Sequence, residues 1–209
     1  RTRLPLLYTR GFHPKAKLAF GAPLPVGAES YEEELDLWFA KEFDPAFVQE
    51  ALARELPREE SPDGPRGLLV SRVVRVEGTR AALSLRAGAR WSIGIRSLGV
   101  EPEAVQAALA SFRARETFPL QVVRTKRGTA GTIRDVDLKE LVKEPLIRSG
   151  CLELNLLVPT EGSAKPALVV AALLGIEIDQ AKRGRYLLIE VLRREAVESL
   201  ALATASVAE

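Results

Sequence analysis

Cys151-Leu152-Glu153-Leu154-Asn155-Leu156-Leu157-Val158 alternates strongly, with Leu152, Leu154 and Leu156 on one side. That is the period of a strand with one buried face. Pro166-Ala167-Leu168-Val169-Val170-Ala171-Ala172-Leu173-Leu174 then reads as a short amphipathic helix, opened by a proline and stopped by Gly175. Tyr186 to Leu192 reads as a last strand. Strand, helix, strand is therefore the unit from which the rest of the fold is read outward.

Upstream, Leu68 to Val76 alternates and leads through a Glu77-Gly78-Thr79 turn to a partner strand ending at Arg86. Trp91, Ile93 and Ile95 suggest another strand, and Pro102 opens a helix with Ala104, Val105, Ala108, Leu109 and Phe112 on its inner face. Phe118 to Thr125 and Thr132 to Leu138 flank a glycine-rich basic turn, a hairpin pattern. With Ala82 to Arg86 as its first member, the second half reads strand, helix, strand, strand, helix, strand, the ferredoxin-like order.

In the first half, Leu4 to Thr9 and Lys17 to Phe20 are short extended stretches separated by Gly11 and Pro14. Tyr31, Glu33, Leu35, Leu37 and Phe39 alternate with Glu32, Glu34, Asp36 and Trp38, as in a half-buried strand with an acidic outer face. Asp44 supplies an N-cap oxygen and Pro45 suits the first helical position, so a helix should run to about Leu56 and lie on a sheet through Phe47, Val48, Ala51 and Leu52. Residues 57–67, with three prolines and two glycines, are the best linker candidate. The expected fold class is α+β: two tandem ferredoxin-like (βαββαβ) modules, residues 1–77 and 78–209, the first lacking its initial strand and helix. Arg1 to Arg3 read as the end of that helix, so the chain is expected to be N-terminally incomplete.

Composition narrows the chemistry. At 209 residues the chain can bury a core, which must be aliphatic because aromatic residues make up 6% and methionine is missing. No apolar run approaches the roughly 20 residues a membrane helix needs, so no membrane partner and a cytoplasmic location are expected. One His and one Cys cannot build a zinc site or hold an iron–sulfur cluster, so no metal and no cofactor is expected in this chain. Cys151, at the head of an apolar strand, reads as a small buried hydrophobe. Neither a Walker-type loop nor a GxGxxG after a strand is present.

The net charge is +2, too small to mark a nucleic-acid binder, but its distribution is uneven. Residues 1–28 carry Arg1, Arg3, Arg10, Lys15 and Lys17 and no acid, whereas Glu29, Glu32, Glu33, Glu34, Asp36, Glu42 and Asp44 crowd the next stretch. A second basic group is Arg124, Lys126, Arg127 and Arg134. Solvated faces on a neutral protein and a local anion-binding surface are both open. Gly128 and Gly131 beside Lys126 and Arg127 suit either phosphate contact through backbone N–H groups or a plain hairpin tip.

The segment Tyr8-Thr9-Arg10-Gly11-Phe12-His13-Pro14-Lys15-Ala16-Lys17-Leu18-Ala19-Phe20-Gly21-Ala22-Pro23-Leu24-Pro25-Val26-Gly27-Ala28-Glu29-Ser30 interleaves Tyr8, Phe12 and Phe20 with Arg10, His13, Lys15 and Lys17. Cations beside flat rings suit single-stranded RNA, whose bases stack while its phosphates pair. The competing reading makes Phe12 and Phe20 core anchors and the prolines the shapers of a long connection.

The same segment resembles the signature of the radical SAM-linked proteins, a bacterial family of unassigned activity. Gly11, Phe12, His13, Pro14, Lys17, Phe20, Gly21, Pro23, Leu24, Pro25, Gly27, Glu29 and Ser30 match it. Weaker landmarks are Ala114 to Phe118, Val136-Asp137-Leu138, Lys165-Pro166 and Leu173-Leu174-Gly175. The Ser-His-Leu-Asp-like stretch with which relatives usually begin is missing, and Lys15 stands where many place a second His. The resemblance implies a partner: a radical SAM protein, fused or separately encoded.

The expected function is a non-enzymatic accessory module that binds RNA or another anionic substrate, or docks the partner, through Arg10, Phe12, His13, Lys15, Lys17, Arg124, Lys126 and Arg127. The alternative is a metal-independent endoribonuclease using His13 as general acid or base, by analogy with tandem ferredoxin-like RNA-cleaving proteins of CRISPR systems.

Overall fold

The structure, a computed structural model, describes residues 4–21, 23–56, 58–59, 66–76, 86–124, 132–157 and 165–193. The chain is α+β and forms two compact units, Arg1–Gly21 with Glu34–Ser84, and Ala22–Glu33 with Leu85–Glu209. The division falls at Ser84/Leu85, beyond residues 57–67, and Ala22–Glu33 belongs with the second unit.

In the first unit β1 (Leu18–Phe20) pairs antiparallel with β3 (Leu35–Leu37), while β2 (Glu29–Ser30), between them in the chain, belongs to the second unit. The predicted Tyr31–Phe39 strand is thus shorter, because Tyr31 pairs elsewhere: its N–H donates to Leu188 O at 2.9 Å. Helix α1 (Pro45–Glu55) starts as read, with Asp44 Oδ1 accepting the Ala46 N–H at 3.3 Å and Pro45 in the first turn. Of its expected inner face Val48 is buried, but Phe47 is exposed and stacks on Phe43. β4 (Arg58–Glu59) and β5 (Arg66–Gly67) form a two-residue ladder.

Leu68 to Val76 is not a strand. Its alternation distributes side chains between two sides without supplying a backbone partner, and the Gln49 amide takes the carbonyls of Val70 and Ser71 at 3.3 and 3.1 Å. The turn and the partner strand read at 77–85 lie outside the described residues.

The second unit is built on a five-stranded sheet in the order β2, β11 (Tyr186–Arg193), β6 (Arg86–Gly94), β10 (Cys151–Leu157), β9 (Val142–Arg148). Only the β2–β11 pair is parallel. β6 takes in the Trp91 and Ile93 of the strand expected around Trp91–Ile95 but starts earlier, at Arg86, and it is followed by a 3-10 turn, Arg96–Leu98, closed by left-handed Gly99. The predicted hairpin forms as β7 (Pro119–Arg124) and β8 (Thr132–Asp137), but as a ladder of its own outside the main sheet.

A one-turn helix, α3 (Leu138–Leu141), leads into β9, which sequence reading passes over. Its Pro145 and adjacent charges argue against a strand, yet an edge strand tolerates proline at a bulge. That is its setting: Glu144 and Pro145 together face Leu154, with Glu144 at φ 49°.

Helices α2 (Pro102–Ala114) and α4 (Pro166–Leu174) cover one side of this sheet. Val105, Leu109 and Phe112 from α2 and Val169, Val170 and Leu173 from α4 are buried with Trp91, Ile93, Leu152, Leu154, Leu156, Tyr186 and Leu188 from the strands. Each such side chain withdrawn from water contributes about 1.5–3 kcal/mol. Gly175 ends α4 at φ 64°, as read, and a short helix α5 (Ile178–Lys182) follows.

Candidate functional site

The loop at Arg10–Pro14 grows from a junction of three chain segments. Leu7 N–H donates to Trp38 O at 2.7 Å, Trp38 N–H to Lys17 O at 3.3 Å, and Lys17 N–H to Leu7 O at 2.7 Å. Each segment therefore pairs with the other two, and bridges at Leu6/Phe39 and Tyr8/Ala16 extend the junction. Above it the loop is closed twice: Thr9 N–H donates to Lys15 O at 2.8 Å, and Lys15 N–H to Thr9 Oγ1 at 3.0 Å. Gly11 sits at φ 150°, which a side chain rarely adopts.

This closure leaves the tip in water. Phe12 is 104% exposed, and Arg10, His13 and Lys15 around it are exposed too. Phe20 is 71% exposed, so neither ring is a core anchor. Lys17 is placed differently, its ammonium 4.9 Å from the centre of the Trp38 ring. The loop thus brings Arg10, Phe12, His13 and Lys15 together at its tip and Lys17 to its root. His13 makes no hydrogen bond to another described residue.

Sequence reasoning passes over Trp38 and Thr9. The one signal for Trp38 is an aromatic among the acidic positions Glu32, Glu34 and Asp36.

The remaining predicted residues belong to the second unit. Arg124 closes β7, and its side chain, with Lys126 and Arg127, lies outside the described residues. Asp137 fastens the hairpin root, since its Oδ1 accepts the N–H of Lys139 at 2.9 Å and of Phe118 at 2.8 Å. Those two bonds hold its carboxyl below the ordinary carboxylate value. Cys151 is half-buried, opposite Arg148 on β9.

A second polar constellation, unmarked by the sequence reading, crosses the side of the sheet away from the helices. Asn155, buried in β10, accepts from Arg90 Nε at 3.3 Å and donates to Glu144 Oε2 at 3.0 Å. Arg90 also pairs with Glu190 at 3.3 Å, so the row spans β9, β10, β6 and β11. Both flanking strands bulge at this level, β9 at Glu144–Pro145 and β11 at Ile189. Bulges re-aim side chains, here two carboxylates towards the centre of the row. An open cavity of about 590 Å³ lies beside Ser97, Glu177 and Asp179. Two of its polar groups are partnered within the chain: Ser97 Oγ donates to Gly94 O and accepts from Arg185 N–H, and Asp179 pairs with Lys182.

Among the described residues no group of three or more His, Cys, Asp and Glu is placed to hold a metal ion, and no helix is long and apolar enough to cross a membrane. A bacterial family profile matches residues 1–166. The chain belongs to the DUF2344 family. The description of DUF2344 is "uncharacterized protein conserved in bacteria", and the match takes in the whole Arg10–Lys17 loop, the polar row as far as Asn155, and the sheet up to the start of α4. No curated protein and no solved structure matches the chain.

Proposed function

We propose that this DUF2344 chain is a non-enzymatic accessory module that binds single-stranded RNA through the Arg10–Lys17 loop and serves a radical SAM partner, fused or separately encoded. The observation that carries the RNA reading is Phe12, wholly exposed between Arg10, His13 and Lys15 on a loop pinned at its root. An exposed ring offers a stacking face, and the cations beside it meet phosphates. The radical SAM association rests on the resemblance of Tyr8 to Ser30.

The finer fold reading belongs to the same proposal. β6, α2, β9, β10, α4 and β11 follow one another as strand, helix, strand, strand, helix, strand, with every neighbouring pair among the four strands antiparallel. This supports a ferredoxin-like second unit with the β7–β8 hairpin inserted after α2. For a first unit of the same kind the support is thinner, since the described residues supply β1, β3 and α1 but no strand at Leu68–Val76.

RNA binding across a salt series tests the reading. Replacing Arg10 and Lys15 with Ala should weaken binding and flatten the salt slope by about 0.7 for each phosphate no longer neutralised. Lys17→Ala should do less, because its charge is turned to Trp38. Binding that ignores both salt and these substitutions would sink the proposal. Cleavage of the bound RNA that disappears in His13→Ala would replace it with the endoribonuclease reading.

A further inference from the structure

The shape of the site narrows the ligand further. We infer that the RNA recognised is one already folded, a hairpin loop or bulge presenting an unpaired base, with Phe12 stacking on that single base as a wedge. This deepens the RNA-binding reading and rests on it.

Four observations lead there. First, the tip is a finger: five residues, Arg10 to Pro14, between the paired Thr9 and Lys15, with one ring at the end. Second, its root is a closed junction of three paired segments, so the two ends of the finger are held together before any ligand arrives.

Third, the flat surface on which a long strand might be laid out does not suit RNA. The side of the second unit's sheet away from the helices carries Arg90, Ser92, Glu153, Asn155 and Glu190. Its cations Arg90 and Arg148 are already engaged by the carboxylates Glu190 and Glu153, which leaves less charge for phosphate. Fourth, the cations Arg10 and Lys15 lie on either side of Phe12 in the chain, placed to meet backbone on both flanks of one stacked base.

One stacking contact and two or three charges are too little to immobilise a flexible strand, whose ordering cost grows with every nucleotide fixed. A base in a duplex is no better, since pulling it from its neighbours costs a few kcal/mol. A loop or bulge removes both costs: the backbone is already curved and the base already unpaired.

The experiment compares three RNAs carrying 2-aminopurine at one position: a hairpin with it in the loop, a linear strand of the same composition, and a full duplex. The full chain is used as wild type, Phe12→Ala and Phe12→Trp. Phe12 touches no core residue, so these changes leave the fold intact.

The hairpin should bind roughly tenfold or more tightly than the other two, with 2-aminopurine emission changed by stacking in wild type and Phe12→Trp. Phe12→Ala should lose that change and roughly tenfold in affinity. Equal affinity for hairpin and linear strand overturns the folded-loop inference while leaving RNA binding standing. No binding to any of the three overturns both. Phe12-dependent binding to phosphatidylserine vesicles in place of RNA would also overturn both, and would make the finger a membrane contact.

Discussion

Phe112 and Phe12 are the same side chain put to opposite uses. In the second unit Trp91, Phe112 and Tyr186 are all buried between sheet and helices, and Tyr31, in its Ala22–Glu33 segment, is the exposed exception. In the first unit Tyr8, Phe12, Phe20 and Phe47 are exposed, and Trp38, Phe39 and Phe43 are half-buried. The difference follows from what each unit has to cover its sheet. Two helices meet the long strands of the second, whereas in the first three short segments close on one another and α1 buries little beyond Val48. Stability is therefore expected to reside in the second unit and recognition in the first.

The widest test of this contrast removes the two rings. Phe112→Ala should cost about 3–5 kcal/mol in denaturant unfolding, the usual loss for an aromatic deleted from a core. Phe12→Ala should stay within about 0.5 kcal/mol, as for a surface change. Similar losses for both would erase the distinction.

Next in size is the polar row of the sheet. Asn155→Ala leaves Arg90 Nε and the Glu144 carboxylate without the amide that joins them, an expected cost of about 2 kcal/mol. At the neighbouring bulge, Glu144→Gly should be more stable than Glu144→Ala by about 1 kcal/mol, since glycine relieves the left-handed backbone and alanine retains it. The reverse order would show that the bulge is not strained there.

A smaller effect belongs to Tyr186. Its hydroxyl donates to Ala181 O at 2.8 Å, but that oxygen also accepts the Gly184 N–H, so Tyr186→Phe should cost about 1 kcal/mol or less at neutral pH. Burial raises the phenol from 10.0 to about 12. In that interval the unfolded chain releases the proton first, so wild-type stability should fall as pH climbs through it. Tyr186→Phe should lack this part of the fall when unfolding is measured at successive alkaline pH values.

Smallest is the hairpin root. The Asp137 carboxyl is lowered from 3.8, so what it contributes is present above that value and lost as pH drops through the folded one. Asp137→Asn should therefore show a shallower loss of the urea midpoint on acidification than wild type.

How much is legible depends on how local the determinant is. The Asp44-Pro45 start of α1, the Gly175 stop of α4, the pairing of β7 with β8 and the leucine alternation of β10 each follow from neighbours in the chain, and each stands where the sequence places it. β9 is hidden by Pro145 and by Lys143 and Glu144, residues that an edge strand with a bulge can hold but an isolated stretch cannot advertise. Leu68 to Val76 fails the other way, since its period is right and no strand pairs with it among the described residues.

At the candidate site the same division holds. The order of residues from Tyr8 to Ser30 is enough to place cations beside rings, to require glycine and proline in the backbone, and to suggest a functional loop. Whether Phe12 points into a core or into water is beyond it, because burial depends on what arrives from elsewhere in the chain. Trp38, brought to the loop root by hydrogen bonds between distant segments, closes the junction from which the exposed tip projects. Composition and spacing determined the chemistry at the tip, while long-range pairing decided which way it faces.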